Sequence, residues 1–502
     1  MTLYFCGHPF KYELEGICKL FFPLIRFTHV FDPEGPVPEG DFVRTIREKG
    51  KEQTRLCAEV SLGGVSRSRA VALPNTLPEY EKECERVLCV ELYRLLSEWL
   101  GIQPSWGILT GVRPVNIIQR ERAAGHPDGE IARFLREEYL VSPEKLRLAF
   151  TTADVQSGLL ADLPERSYSL YISIPFCASR CSYCSFVSHA ITTRKATDKI
   201  EEYLALLCQE LELTAQVAKQ NRLKLDTVYI GGGTPTALSA AQLKQVTDAV
   251  SAYFDISSAR EYTIEAGRAD TITREKLEVI RASGAGRISV NPQTFNDDVL
   301  RRIGRRHTAA EAVECYRMAC EMGFDTINMD FIAGLPGDTL ESFQHTIEEA
   351  IRLSPSNITV HTLSIKRSAD LFSEEGIADY VKTNVTDGMT AFAREALLAA
   401  GYRPYYLYRQ KNTIGNLENV GFAKPGAESL YNVYIMDEIQ TILACGAGGV
   451  TKLVGGTQDL DSGKNPIERI FNFKYHFEYI DRFDQIKTRK EQVTDFYENQ
   501  EK

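Results

Sequence analysis

Tyr171-Ile-Ser-Ile-Pro-Phe-Cys177-Ala-Ser-Arg-Cys181-Ser-Tyr-Cys184-Ser-Phe186 is the stretch on which the reading of this chain turns. Its opening residues, rich in aromatic and β-branched types, read as a buried strand. Pro175 turns the chain, and three cysteines follow with the spacing Cys-x3-Cys-x2-Cys. Thiolates are soft ligands suited to an iron–sulfur cluster or to zinc, and so close a spacing lets one short loop wrap a single site. A sealed site of either kind takes four protein ligands. Three leave one metal position open, where a cofactor or substrate can bind. The alternative is a structural zinc loop that borrows a fourth ligand, with His189 or Cys208 as candidates.

At 502 residues the chain has room for two or three domains, each with its own core. With 43% hydrophobic and 25% charged residues, it matches ordinary globular composition rather than a disordered or fibrous one. No apolar run approaches the ~18 residues that span a bilayer. No basic stretch followed by a long apolar core marks a signal peptide. The formal net charge of −10 argues against non-specific nucleic-acid binding. Twelve cysteines scattered without a paired framework point to a reducing cytoplasm and a few thiols with metal work.

Working outward, residues 1–160 carry no catalytic signature and read as an α+β accessory domain. Leu20–Phe31 and Leu56–Leu62 read as strands. Glu79–Leu100 reads as a helix with Leu88, Leu92, Leu95, Leu96 and Trp99 on one face. Trp106-Gly-Ile-Leu-Thr-Gly-Val-Arg-Pro114 is a turn-rich stretch in which Arg113 either binds substrate or pairs with a carboxylate in a packed connector. Helices near Val115–Ala124 and Glu130–Tyr139 lead towards the cysteine strand.

From Ser167 the pattern is strand, loop, helix, repeated. Strand-like runs are Leu170–Ile174, Thr227–Ile230, Tyr262–Glu265, Arg287–Val290, Thr326–Ile332 and Ile358–Leu363. Helices at Lys199–Lys219, Ala240–Phe254, Arg274–Ser283, Ala309–Met322 and Leu340–Leu353 separate them. Such alternation implies a parallel sheet with right-handed crossovers. The fold class is therefore α/β, a partial (β/α)6 TIM-like barrel over 161–400, with the accessory domain before it and a C-terminal extension, 401–502, covering the substrate.

A polar or glycine-rich motif recurs at the C-terminal end of each strand, the end at which barrel active sites sit. Gly231-Gly-Gly-Thr-Pro-Thr236 lets a backbone approach a ligand closely, and it lacks the spacing of either nucleotide-binding motif. Glu265-Ala-Gly-Arg268 offers a carboxylate to hydroxyl donors. Asn291-Pro-Gln293-Thr-Phe-Asn296 presents Gln293, both donor and acceptor. Arg301, Arg302, Arg305, Arg306 and His307 form a basic cluster, mostly solvated helix faces with one member turned to the pocket. Asn328-Met-Asp330-Phe-Ile-Ala-Gly334-Leu-Pro-Gly337 sets a carboxylate before a glycine turn.

The cysteine loop together with the glycine turn resembles the radical SAM enzymes. More narrowly, Tyr-Ile-x-Ile-Pro-Phe-Cys, Gly-Gly-Gly-Thr-Pro-Thr, Gln-x-Phe-Asn and Asp-x-Ile-x-Gly-Leu-Pro are similar to the oxygen-independent coproporphyrinogen III oxidase group. Trp106–Pro114, Glu265-Ala-Gly and Tyr405-Tyr-Leu-Tyr-Arg-Gln-Lys-Asn412 resemble its HemZ-type coproporphyrinogen dehydrogenase branch. The resemblance implies a [4Fe–4S] cluster on Cys177, Cys181 and Cys184, whose fourth iron takes the amino and carboxylate groups of S-adenosylmethionine. It implies that Tyr171 and Tyr183 lie against the cofactor region, that Gly232, Gly233 and Thr234 contact its methionyl part, and that Glu265 binds the ribose. Gln293, Arg305 and Asp330 match positions around a second S-adenosylmethionine. The implied reaction begins with one-electron cleavage to a 5′-deoxyadenosyl radical. Hydrogen abstraction from a propionate β-carbon follows, and loss of CO2 and an electron leaves a vinyl group. Implied partners are the tetrapyrrole and a flavodoxin- or ferredoxin-like electron donor. The alternatives are a haem-binding chaperone without turnover, or radical chemistry on another tetrapyrrole.

Two positions depart from the porphyrinogen-oxidising members: Phe186 stands where they carry a fourth cysteine, and Ser173 where many have histidine. After residue 400, Tyr405, Tyr406, Tyr408, Arg409 and Lys411 either recognise a substrate with several carboxylates or form a tyrosine-rich core with exposed cations. Leu443-Ala-Cys-Gly-Ala-Gly-Gly449 is a glycine turn that could close over the cofactor. Ile486–Lys502 is polar and expected to fray.

Overall fold

A computed structural model describes residues 1–23, 25–32, 40–111, 113–186, 188–191, 199–364, 383–410, 413–456 and 466–500. The chain divides into two compact units, Met1–Phe150 with Arg409–Leu417, and Thr151–Tyr408 with Glu418–Lys502.

The first unit is α+β. Its strands are β1 (Thr2–Cys6), β2 (Thr28–Phe31), β3 (Phe42–Lys49), β4 (Gln53–Leu62) and β5 (Val65–Pro74), in the order β2-β1-β3-β4-β5. Gly63 and Gly64, at φ +57° and +78°, make the two-residue hairpin between β4 and β5. A turn with both central residues left-handed follows the strand twist, and glycine enters it without strain. The helix Tyr80–Leu100 buries Leu88, Leu92, Leu95 and Leu96 against this sheet and the helix Lys11–Phe21. Each such side chain contributes about 1.5–3 kcal/mol. The strand expected at Leu20–Phe31 starts only at Thr28; Leu20 and Phe21 close the helix Lys11–Phe21, whose buried face they continue from Leu14, Ile17 and Cys18.

In the second unit the six expected strands form one parallel run. They are β6 (Ser167–Ile174) and, after the two-residue strands β7 (Phe176–Cys177) and β8 (His189–Ala190), β9 (Lys224–Gly232), β10 (Glu261–Gly267), β11 (Arg287–Val290), β12 (Thr326–Ala333) and β13 (Asn357–Thr362). The helices Ile200–Gln220, Ala240–Tyr253, Arg274–Ala282, Ala309–Glu321 and Leu340–Leu353 lie within two residues of their expected bounds. Their starts are written in the sequence: Ser239 with Gln242 and Thr308 with Glu311 form reciprocal capping boxes.

The residues after 400 do not stand apart. Strands β14 (Arg403–Arg409) and β15 (Glu418–Ala423) extend the sheet beyond β13, with β15 antiparallel to it. On the opposite edge β16 (Thr441–Cys445) runs parallel to β6, and β17 (Val450–Val454) and β18 (Ile467–Phe471) follow antiparallel. The result is an eleven-stranded sheet around the six-stranded centre. These strands are short, and their apolar runs are interrupted by glycine and polar residues, so periodicity alone hides them.

The expected fraying from Ile486 is corrected as well. Asp484–Gln500 is a helix, with Ile486, Lys490 and Val493 buried on one face. Lys490 Nζ pairs with Glu210 at 2.9 Å and donates to the Ala444 carbonyl; Glu210 also accepts from Tyr479, Asn472 and the Gly446 amide. This network ties the C-terminal helix to the barrel edge. Removing one partner of a buried ion pair costs about 3–5 kcal/mol because the other charge is stranded. Lys490→Met is therefore expected to lower stability by about that amount, read from the midpoint of chemical denaturation.

Candidate active site

The cysteine loop is fixed at the C-terminal end of β6 by backbone contacts. The Gly233 amide donates to the Ile174 carbonyl and the Thr234 amide to the Phe176 carbonyl, both at 2.8 Å. A Cβ on Gly233 would lie 2.5 Å from the Phe176 oxygen, so no other residue fits without displacing the loop. Gly232 has φ +107° and faces Ser173 and Ile174. The close approach expected of this glycine turn is therefore to the cysteine loop's own backbone. Thr234 Oγ1 also reaches the Cys177 sulfur, at 3.4 Å. A second turn holds the loop from the other side: the Ser182 amide donates to the Ile303 carbonyl, and Gly304, at φ +78°, passes beneath Arg180.

Cys177 and Cys181 are buried and Cys184 is half-buried. Burial is the main cause that raises the Cys184 thiol above its ordinary value. A backbone hydrogen bond at Phe186 pulls it down, and the nearby Cys181 and Cys177 push it up. Among the described residues, no three His, Cys, Asp or Glu side chains converge as they would on one ion. The Arg268 guanidinium lies 3.4 Å from the Cys181 sulfur. Phe186 is 71% exposed, on the solvent side of the loop.

The barrel interior beneath the loop is polar and aromatic. Tyr171 and Tyr229, register neighbours on β6 and β9, stack with Tyr431 from the helix Leu430–Asp437; the ring centroids of Tyr229 lie 4.3 Å from Tyr431 and 6.3 Å from Tyr171. Tyr229 donates its hydroxyl to Glu265 on β10. Burial raises the Glu265 carboxyl to about 7, with Tyr229 drawing it down and Asp330 adding to the rise. Asp330 on β12 takes the opposite course. Burial pushes it up, but His361 at 3.9 Å, Asn328 at 2.7 Å and Thr359 together hold it below its ordinary value.

Gln293 sits at φ +72°, a conformation rare for a residue with a side chain. Its amide bonds to the Asp330 carbonyl, and its own carbonyl accepts from Ile332. Such strain collects where structure over-determines a position, often at functional sites. Of the basic cluster, Arg305 and His307 are buried whereas Arg301, Arg302 and Arg306 are exposed. Arg305 donates to the Tyr183 hydroxyl at 2.9 Å, and its Nε and Nη1 are buried without a hydrogen-bond partner. Three soft thiols on one loop suit a sulfur-bound metal, and an orphaned buried cation nearby is what an anionic group bound in the same interior would satisfy. The donor set thus fits an iron–sulfur cluster with a zwitterionic cofactor beside it.

The proposed substrate residues fare differently. Tyr405 has no exposed surface and packs with Tyr406, Ala423, Ala427 and Val433, so the core reading holds there. Arg409, 2% exposed, donates to the Leu109 and Asn416 carbonyls and stands 5.5 Å from the Trp106 ring, all within the first unit. Those two bonds tie the guanidinium to backbone within the first unit. Arg113 is half-buried in the first unit, and Lys411 lies outside the described residues. The turn at 446–449 packs on β6, since Gly446 abuts the Ser173 carbonyl and the Ser173 hydroxyl donates to Ala447. Tyr229, Tyr431 and Arg268 take places in the site that the sequence pattern does not assign to them. Only the position of Arg268 just past a strand end offered a signal.

The model of the radical SAM superfamily matches residues 171–350. Over 491 residues the chain is 35% identical to the oxygen-independent coproporphyrinogen-III oxidase-like protein HemZ of Bacillus subtilis (strain 168), covering 95% of this chain and 96% of that one. It is 33% identical to the heme chaperone HemW of the same organism over 299 residues, 59% of this chain and 73% of that one. The coproporphyrinogen III oxidase HemN of Escherichia coli, a radical SAM enzyme, has a similar fold, with a TM-score of 0.51 at 24% identity over 67% of this chain and 73% of that one.

Glu265 supplies a test of the interior. With its carboxyl near 7 in the folded chain and near 4.5 unfolded, the folded state holds an extra proton between those values. The stabilisation this gives is complete below pH about 4.5 and lost as pH rises through about 7. Glu265→Gln is expected to match the parent at low pH and exceed it above neutrality by on the order of 1–3 kcal/mol, measured by denaturation of the protein without cofactor across pH 4.5–8.

Proposed function

Because the chain belongs to the radical SAM superfamily, in the family of the oxygen-independent coproporphyrinogen-III oxidase-like proteins, we propose that it converts coproporphyrinogen III to protoporphyrinogen IX by oxygen-independent oxidative decarboxylation of two propionates to vinyls, each losing CO2, one hydrogen to a radical derived from S-adenosylmethionine and one electron to an external acceptor. The reading rests on one loop of three cysteines lying at the same end of the barrel as the Gly232–Thr234 turn, Glu265, Gln293, Arg305 and Asp330.

In this reading Cys177, Cys181 and Cys184 hold a [4Fe–4S] cluster with one iron left for S-adenosylmethionine. When bound, the pair supplies reductive cleavage to a 5′-deoxyadenosyl radical, the hard chemistry that a cofactor brings. The chain's own residues bind, orient and exclude water. Gly232, Gly233 and Thr234 form the wall against the methionyl part, Tyr171 and Tyr183 flank it, and Glu265 accepts from ribose hydroxyls. Gln293, Arg305 and Asp330 hold a second S-adenosylmethionine, with Arg305 offering its two orphaned nitrogens to a carboxylate. The tyrosine stack gives the interior an aromatic wall against which apolar parts of a substrate can pack. Electrons come from a flavodoxin- or ferredoxin-like donor in the cytoplasm. Among the described residues no helix is long and apolar enough to cross a membrane.

A second reading, a haem-binding chaperone without turnover, draws on a specific observation. Tyr405 and Arg409, which favoured a carboxylated substrate, are engaged in packing, and Phe186 replaces a cysteine found in porphyrinogen-oxidising members.

Anaerobic reconstitution followed by incubation with reductant, S-adenosylmethionine and coproporphyrinogen III separates the two. Chromatography is expected to show vinyl product and 5′-deoxyadenosine, both lost in Cys181→Ala. Deoxyadenosine without decarboxylation would assign a different substrate. Tight haem binding with neither product would establish the chaperone.

A further inference from the structure

Arg268 is placed by a local irregularity in β10. The register with β11 slips between Glu265 and Gly267, and Gly267 takes φ +65°. The strand end thereby sends Glu265 to Tyr229 inside the barrel and Arg268 to the cysteine loop. The Arg268 residue is 3% exposed. Its Nη1 donates to the Ser179 carbonyl at 3.0 Å and to the Cys181 sulfur at 3.4 Å, and its Nη2 donates to the Ser179 hydroxyl at 2.8 Å. The remaining edge of the fork meets Asp270 in two bonds, Nε to Oδ1 at 3.0 Å and Nη2 to Oδ2 at 2.9 Å. A bidentate pair of this kind fixes the plane of the guanidinium, and so the direction of the hydrogen bond to sulfur.

Burial pushes the Asp270 carboxyl up, but His307 and Arg268 outweigh it and hold it well below the usual carboxylate range. Asp270 is thus a standing negative charge behind the guanidinium, with His307 3.8 Å away on its other side.

We propose that Arg268 and Asp270 are positioning residues that set the reduction potential of the cluster held by Cys177, Cys181 and Cys184, in opposite directions. This rests on the cluster reading above. Reduction adds an electron to the cluster and raises the negative charge on its sulfurs. Hydrogen bonds to those sulfurs, local charge and solvent exclusion are the means by which a protein tunes such a potential. A buried N–H donor on the Cys181 sulfur stabilises the reduced state more than the oxidised one. Asp270 tempers that effect by compensating the guanidinium charge. Removing the donor makes reduction harder; removing the carboxylate charge makes it easier. A residue that merely braced the loop would give shifts of one sign.

The test is an anaerobic redox titration of the reconstituted protein, followed by electron paramagnetic resonance, on the parent, Arg268→Gln, Arg268→Lys and Asp270→Asn. Arg268→Gln is expected to disfavour reduction about tenfold, equivalent to 59 mV for one electron. Arg268→Lys should recover part of that shift, and Asp270→Asn should move the potential to more positive values. Shifts of the same sign in Arg268→Gln and Asp270→Asn, or no shift in either with the cluster spectrum intact, would overturn the proposal. If Arg268→Gln fails to hold a cluster, Asp270→Asn decides alone: a positive shift sustains the proposal, and a negative or absent one overturns it. A parent protein that assembles no cluster would overturn the cluster reading and this inference with it.

Discussion

Everything at the barrel mouth depends on one backbone contact, the clamp of Gly233 and Thr234 against Ile174 and Phe176. Two amide-to-carbonyl bonds of 2.8 Å join the end of β9 to the loop that leaves β6. They require a glycine, because any Cβ at 233 would meet the Phe176 carbonyl at 2.5 Å. Net of water, two such bonds contribute only about 1–3 kcal/mol. Their larger effect is geometric. The three cysteines share one loop, which can serve a single site only if it is pinned at its base, and the 303–305 turn completes the grip. Functional constellations need support of this kind to hold their geometry within fractions of an ångström.

Below the clamp, the barrel sets two carboxylates on different courses. Glu265 is raised to about 7, while Asp330 is held low by His361, Asn328 and Thr359. Environments that push the protonation of neighbouring groups apart give them distinct roles. An ionised Asp330 attracts cationic or donor groups at any pH near neutrality. Glu265 can accept from hydroxyls or, when protonated, share its proton with Tyr229. The tyrosine stack completes an interior richer in polar and aromatic groups than the branched aliphatic filling usual in barrels.

The barrel was legible because its signals agree at every level. Strand, glycine or carboxylate, and capped helix recur in order, and five of the expected helices lie within two residues of those observed. What was not legible lay where tertiary context overrides local pattern. The strands β15 to β18 are short, and the pairings that join them to the centre, β15 with β13 and β16 with β6, link residues far apart in sequence. Ile486, Lys490 and Val493 share a helix face that a polar composition conceals. Tyr405 and Arg409 look like ligands for a carboxylated substrate because tyrosine and arginine serve both recognition and packing. Burial alone decides between the two, and burial is not written in composition. Arg268 was hidden for a related reason: its direction depends on a bulge and a left-handed glycine that no spacing rule anticipates.

The proposed function stands on Cys177, Cys181 and Cys184 holding an iron–sulfur cluster with one iron open to S-adenosylmethionine. The most direct measurement is metal and sulfide analysis of the anaerobically reconstituted protein, joined to paramagnetic resonance of the reduced form with and without S-adenosylmethionine. A [4Fe–4S] site predicts about four irons and four sulfides per chain, with a signal that changes when S-adenosylmethionine is added. One zinc per chain, or a cluster whose signal is indifferent to S-adenosylmethionine, would contradict it.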